Sequence, residues 1–281
     1  MGIIDGKMVA SQIKENLTTE VQSLKKKTGK TPGLAVVLVG DDPASAVYVR
    51  NKNKTCNNIG FQSFENILPA NTSESELLNL IHELNNDEKV SGILVQLPLP
   101  SHVASKKILE AINPQKDVDG FHLENVGRLV TGHSLFKPCT PAGIIKLLDK
   151  YDVEIEGKNA VIIGRSNIVG KPVAFLLLER NATVTICHSR TKNLSNLARS
   201  ADILIAAIGK PNFVTADMVK DNSVVIDVGI NRLAGKLVGD VDFSSVVKKV
   251  SLITPVPGGV GPMTIAMLME NTFQAFKNSL K

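Results

Sequence analysis

Apolar residues fall along this chain in two alternating rhythms. Short, nearly unbroken apolar runs at 33–40, 91–97, 160–164, 183–188, 202–209 and 223–228 have the length of strands. Between them, 8–26, 45–59, 73–86, 141–151 and 173–180 are longer and carry the spacing of helices. The alternation predicts an α/β architecture with parallel sheets, and runs apolar throughout are what strands covered on both faces require. Two prolines interrupt the pattern at Phe136-Lys137-Pro138-Cys139-Thr140-Pro141. We therefore expect two domains, an amino-terminal α/β domain over 1–138 and a Rossmann-like one over 139–263, with the cleft between them as the default active site. No repeat of fixed period is present.

Composition narrows the class. The chain has 281 residues, 43% of them hydrophobic, which suffices for two packed cores. Its apolar runs fall far short of the roughly 20 residues of a membrane helix. Asp5 arrives before any apolar h-region, and Gly6 stands where a myristoylation signal wants Ser or Thr, so a cytoplasmic protein is expected. Cys56, Cys139 and Cys187 are odd in number and far apart, which suits reduced thiols and neither a disulfide framework nor a CxxC metal site. His82, His102, His122, His133 and His188 show no metal-ligand spacing, so no metal is expected. The net charge of +5 includes Lys25-Lys26-Lys27, the solvated end of a helix; with no Trp and two Tyr there is no stacking surface for nucleic acid. A small anionic ligand suits the excess of cation.

The apolar run at 160–164 leads into Gly164-Arg165-Ser166-Asn167-Ile168-Val169-Gly170-Lys171-Pro172. A glycine-bracketed turn that opens a helix can hold phosphate, because the first helical N–H groups lack partners and lie at the positive end of the dipole. It is not a P-loop: five residues rather than four separate Gly164 from Gly170, and Pro172 has no hydroxyl. Nor is it GxGxxG, since Ser166 replaces the second glycine and Gly170 comes one residue late. A plain strand-to-helix connection would look similar, but a helix and the strand ending in His188-Ser189-Arg190 follow. NAD-binding versions place a carboxylate roughly 20 residues after the glycines. Here Ser189 and Arg190 stand instead, a donor and a guanidinium suited to a 2′-phosphate, which points to NADP.

Three segments of the other domain hold candidate chemistry. Tyr48 and Lys52, four apart on the helix at 45–59, share a face, and a lysine desolvated there becomes a competent acid/base. A YxxxK pair is only partly specific, and Lys52 or Lys54 on a solvent-facing edge would read alike. Gln96 is a lone polar residue at the end of the run at 91–97, so it either ties down the next loop or faces the site. Lys116-Asp117-Val118-Asp119-Gly120 offers two carboxylates, one of which can accept paired N–H donors from an amino-pyrimidine ring. Pro255-Val256-Pro257-Gly258-Gly259-Val260-Gly261-Pro262 reads as a rigid loop whose bare backbone approaches a ligand.

Five motifs in register, SxxYVxxKxK at 45–54, VQLPLP at 95–100, KDVDGF at 116–121, GRSxxVGxP at 164–172 and PVPGGVGPMT at 255–264, resemble the bifunctional methylenetetrahydrofolate dehydrogenase/methenyltetrahydrofolate cyclohydrolase family over nearly the whole chain. The resemblance implies Lys52 as catalytic lysine, Tyr48 packing on the folate, Gln96 assisting the lysine, and Asp119 gripping the pterin. It places Pro257, Gly258 and Gly259 near the substrate. It assigns Gly164, Arg165, Ser166 and Gly170 to the NADP phosphate loop, His188, Ser189 and Arg190 to the 2′-phosphate corner, and Ile230 to a backbone contact near the nicotinamide. It also implies a homodimer, and a last helix at 264–281 that packs back on the first domain.

The expected chemistry is hydride transfer from methylenetetrahydrofolate to NADP⁺, then hydrolysis of the methenyl product to 10-formyltetrahydrofolate. Two other readings remain open: an NADP-dependent dehydrogenase of a small hydroxy acid, or a catalytically silent NADP or folate sensor.

Overall fold

The computed structural model describes residues 2–280, the side chain of Ala44 excepted. The first half of the chain forms β1 (Gly2–Ile3), α1 (Gly6–Thr28), β2 (Gly33–Val39), α2 (Pro43–Asn58), β3 (Gln62–Leu68), α3 (Glu74–Asn86), β4 (Gly92–Val95), α4 (Ser105–Ala111) and α5 (Leu123–Val130). The second half continues with α6 (Cys139–Lys150), β5 (Asn159–Ile163), α7 (Gly170–Glu179), β6 (Thr183–Cys187), α8 (Leu194–Arg199), β7 (Ile203–Ala206), β8 (Val224–Asp227), β9 (Asn231–Leu233), β10 (Lys236–Val238), α9 (Phe243–Val246), β11 (Leu252–Ile253) and α10 (Val260–Ser279). The chain divides into two compact units, Gln12–Cys139 with Ile265–Lys281, and Met1–Ser11 with Thr140–Thr264.

The first of these units is built on a parallel sheet of order β3-β2-β4. Every residue of β2 (GLAVVLV) is buried, as a central strand with both faces covered must be. At the edge, β3 (QSFENIL) alternates exposed and half-buried positions, the pattern of a strand covered less completely. Two helices start where side chains satisfy their first N–H groups. Asp42 Oδ2 accepts from Ser45 N at 2.7 Å with Pro43 opening α2, and Ser73 and Glu76 form a reciprocal capping box on α3. On α10, Asn271 Nδ2 donates to the carbonyls of Val118 (2.8 Å) and Lys137 (2.9 Å), and Phe273 stacks on Phe61.

The other unit holds a six-stranded, all-parallel sheet of order β1-β11-β8-β7-β5-β6. Its core of Val161, Ile163, Leu204, Ala206, Val225 and Ile253 is what made these strands read as continuous apolar runs. The sequence placed residues 1–11 with the amino-terminal domain, whereas β1 pairs with β11 as the outermost strand of this sheet, Gly2 N donating to Ser251 O and Ile4 N to Ile253 O. Two residues of strand carry no periodicity, so only the pairing reveals where they belong.

Candidate active site

In the unit containing β2, α2 carries Tyr48 one turn before Lys52, as the four-residue spacing requires. Lys52 is 8% exposed and Tyr48 37% exposed. Gln96 follows the end of β4, where its backbone N–H donates to Val37 O at 2.8 Å. Its side-chain Nε2 donates to Leu97 O at 2.7 Å, which turns Oε1 toward Lys52, whose Nζ donates to it at 2.8 Å. The first possibility raised for Gln96 is realised, since its side chain ties down the loop, and the same side chain holds the lysine.

Asp117 and Asp119 divide their labour. Asp117 is buried and accepts from Phe121 N (3.2 Å), His122 N (2.8 Å) and Asn125 Nδ2 (2.8 Å), so it shapes the turn. Ile93 N donates to Lys116 O, tying the segment to β4. Gly120, at φ +74°, has Pro138 N so close that a Cβ would approach within 2.9 Å, so the turn needs glycine. Asp119 is thereby held near Lys52 and Cys139. Burial pushes the Lys52 amine below its ordinary value, against the opposing pull of Asp119. Burial likewise pushes the Asp119 carboxyl up, against the pull of Lys52. Asp119 keeps some solvent-accessible side-chain surface, yet its carboxyl is packed closely enough for desolvation to dominate. Both groups are moved toward neutrality while each holds the other's charge, the condition under which a proton is transferred readily between a site and its ligand.

Cys139 completes this cluster, and it was read from the sequence only as a reduced thiol. Its Sγ donates to Val118 O at 3.4 Å, and burial with the neighbouring Asp119 holds its thiol well above the ordinary value, so it stays protonated. A cysteine at a helix start resembles any core cysteine, and no spacing links 139 to 52 or 119.

In the six-stranded unit, β5 leads to Gly164, whose φ of +132° and close approach to the Ala207 carbonyl leave no room for a side chain. Gly170 likewise packs directly on the Gly164 carbonyl. Ser166 Oγ accepts from Val169 N (3.1 Å) and Gly170 N (3.3 Å), capping α7 in place of the anion that those N–H groups were expected to bind. Among the described residues, the backbone N–H groups of Arg165, Ser166, Asn167 and Ile168 have no protein acceptor, which leaves the turn itself open to phosphate. Gly164 N donates to Cys187 O, bringing the corner after β6 beside the turn. There His188 N donates to Thr191 Oγ1 and Arg190 N donates to His188 Nδ1, while Ser189 and Arg190 are exposed. Bare amides, an open hydroxyl and a guanidinium at one end of a parallel sheet fit a phosphorylated dinucleotide.

The remaining predicted residues fold with this same unit. Gly258, at φ +110°, accepts from Lys7 N at 3.1 Å, and Gly259 packs against Gly6. Ile230 is 48% exposed. Pro257–Gly259 thus belong to the unit of the Gly164 turn and not to that of Lys52. Among the described residues no group of three His, Cys, Asp or Glu could hold a metal ion, and no helix is long and apolar enough to cross a membrane.

The family model for the tetrahydrofolate dehydrogenase/cyclohydrolase catalytic domain matches residues 4–119, and that for the family's NAD(P)-binding domain matches residues 138–280. The chain is 60% identical over 282 residues to the bifunctional protein FolD of Campylobacter hominis, covering 100% of this chain and 99% of the relative. It is similar to the solved bifunctional FolD methylenetetrahydrofolate dehydrogenase/cyclohydrolase of Campylobacter jejuni, at 55% identity over 99% of each chain with a TM-score of 0.97. It is also similar to the N5,N10-methylenetetrahydrofolate dehydrogenase-cyclohydrolase of Trypanosoma brucei, solved with NADP cofactor and an inhibitor, at 40% identity over 99% of this chain and 98% of that one with a TM-score of 0.96.

Proposed function

The chain belongs to the tetrahydrofolate dehydrogenase/cyclohydrolase family, and from that premise we propose that Lys52, held by Gln96 and balanced by Asp119, carries the proton chemistry of a bifunctional enzyme. The enzyme oxidises methylenetetrahydrofolate to methenyltetrahydrofolate with NADP⁺, then hydrolyses that product to 10-formyltetrahydrofolate. The observation that carries the assignment is the 2.8 Å bond from a nearly buried amine to an amide oxygen that is itself pinned in orientation.

When bound, NADP⁺ accepts the hydride that leaves the one-carbon bridge. The protein's part in that step is positioning: Asp119 accepts paired donors from the pterin, and Tyr48 offers an exposed ring for it to pack on. The turn at Gly164–Ser166, with Gly170 opening its helix, holds the phosphates. Ser189 and Arg190 beside His188 would take the 2′-phosphate, the Ile230 backbone would contact the nicotinamide, and Pro257–Gly259 would meet the substrate. In the hydrolysis, water adds to the methenyl carbon and the Lys52 amine takes a proton from it. The bond from that carbon to the ring nitrogen then breaks as the added hydroxyl loses its proton to become the formyl oxygen, Lys52 returning its proton to the nitrogen. One proton is released overall, as conversion of a cation and water to a neutral amide demands.

Mixing the purified protein with methylenetetrahydrofolate and NADP⁺ tests the function directly. NADPH should form together with a 10-formyl product; absence of NADPH would overturn the reading. A homodimer and a cytoplasmic location complete the proposal. β6, at the sheet's edge with Ile186 exposed, is available to a second copy.

A further inference from the structure

In the six-stranded sheet the order in which the strands are laid down reverses at β5: β6 is added on one side of it, and the chain then crosses over to add β7 on the other. Ligands of open α/β sheets bind in the crevice outside the carboxyl ends of the strands at such a switch point. One lip of this crevice is the Gly164 turn. The other is residues 207–210, which follow β7, and whose Ala207 carbonyl abuts Gly164. Nothing in the spacing of motifs singled out this second lip.

Its backbone is held by a single side chain. Asp240, fully buried, accepts from Ile208 N (2.7 Å) and Gly209 N (2.9 Å) on one oxygen, and from Lys210 N (2.8 Å) and Asn231 Nδ2 (2.9 Å) on the other. Among the described residues its donors are neutral: three backbone N–H groups of the lip and the Asn231 side-chain amide at the start of β9. Asp240 is placed in turn by Asp227, whose carboxylate accepts from Gly229 N, Asp240 N and Val241 N at 2.9–3.0 Å. Asp227 N donates to Thr254 Oγ1 at 2.7 Å, anchoring the arrangement in β8. Gly229 and Gly239 lie so close to Asp240 and Asp227 that no side chain fits between the carboxylates and the turn.

We propose that Asp240, set by Asp227, is a positioning residue for the dinucleotide: it fixes residues 208–210 as the second lip of the crevice and, through Asn231, the segment carrying Ile230. A carboxylate serving only to fill the core would have no reason to spend all four acceptor sites on loops at the crevice rim. The proposal rests on the NADP reading above. It also predicts a division between the activities, since hydrolysis of methenyltetrahydrofolate consumes no dinucleotide.

The test uses Asp240→Asn in the full chain, which keeps the volume while replacing one acceptor oxygen by an NH₂ that cannot accept. Three quantities are read: amide exchange at 208–210 without ligand, NADP⁺ affinity by calorimetry, and the cyclohydrolase rate on methenyltetrahydrofolate without dinucleotide. Exchange at 208–210 should accelerate, and the Kd for NADP⁺ should rise about tenfold or more, as loss of hydrogen bonds to a charged group implies. The cyclohydrolase rate should stay within about twofold, the variation of a change remote in its partners from Lys52. An unchanged Kd, or a cyclohydrolase rate falling in parallel with affinity, would overturn the proposal. Should Asp240→Asn not fold, Asn231→Ala removes one donor from the same carboxylate and should raise the Kd about threefold or more; no rise overturns it. Failure of the wild-type protein to bind NADP⁺ would instead remove the cofactor reading, with the dependence of 208–210 exchange on Asp240 still measurable.

Discussion

Replacing Lys52 by Met keeps the length of the side chain and deletes the amine. The structure allows the cost to be divided. Catalytically, loss of a positioned proton-transfer group removes about 10²–10⁴ in rate, or roughly 3–5 kcal/mol of barrier. Structurally, Gln96 Oε1 loses the donor at 2.8 Å and Asp119 loses its opposing charge, which costs about 1–3 kcal/mol for the groups left behind. A thioether no longer needs hydration at a residue only 8% exposed, so part of that cost is offset. The variant should therefore fold, melting within several degrees of wild type, and bind NADP⁺ normally. Decay of methenyltetrahydrofolate absorbance is the assay, and it should slow by at least about a hundredfold. The wild-type rate should rise with pH to a plateau reached below 10.5, the ordinary lysine value, because burial depresses the Lys52 amine and the neutral form is the base. That limb should vanish in the variant. Hydrolysis within about tenfold of wild type, or an unchanged pH limb, would refute the argument.

Arg190→Ala should weaken NADP⁺ much more than NAD⁺ in direct binding if, as proposed, the guanidinium takes only the 2′-phosphate; equal losses would remove that role. Gly164→Ala forces a Cβ toward the Ala207 carbonyl at a φ of +132°, so it should cost about 1–3 kcal/mol by denaturant unfolding and abolish NADP⁺ binding first. Burial raises the Asp227 carboxyl to about 6, and a carbon-detected NMR titration should find its midpoint there rather than near 3.8. The folded state then holds that proton more tightly than the unfolded one. The contribution of Asp227 to stability is therefore greatest below pH 3.8 and declines as pH rises through 6, by roughly 3 kcal/mol in all.

The parts of this fold that could be read from the sequence are those whose burial is nearly complete. β2, β5, β7 and β8 are covered on both faces, so their residues are apolar without interruption and need no tertiary knowledge to find. β3 escaped because its polar, partly exposed QSFENIL resembles a loop, and β1 and β11 because two residues have no period. Among site residues, Gln96 was visible as a polar exception in an apolar run and Lys52 by its four-residue spacing from Tyr48, and the bond from Lys52 to Gln96 brings the two together. The motif 117–119 showed two carboxylates but not which one was spent on the turn; only the three donors on Asp117 settle that. Cys139 and Asp240 were invisible for a common reason. Each acts through contacts more than a dozen residues away in sequence, the thiol through Asp119 and the carboxylate through 208–210, and such contacts leave no local pattern.

The separation of the two kinds of residue between units bears on how one chain sustains two reactions. Lys52, Gln96, Asp119 and Cys139 all belong to the unit of β2, while the Gly164 turn, the 188–190 corner and the Asp227–Asp240 arrangement belong to the six-stranded one. Lys52 shares no hydrogen-bond partner with any residue of the second group. Changes in the two sets should then combine nearly additively, and each should strike the activities unequally. Loss of a dinucleotide contact removes oxidation while leaving hydrolysis, because the methenyl carbon is already electrophilic and needs only water and a base. Loss of Lys52 removes hydrolysis while leaving a hydride transfer that depends mainly on alignment. On the proposed assignment the single amine therefore need not be tuned for both steps: its depressed basicity would serve the hydrolysis, and its fixed position, set by Gln96, would serve either.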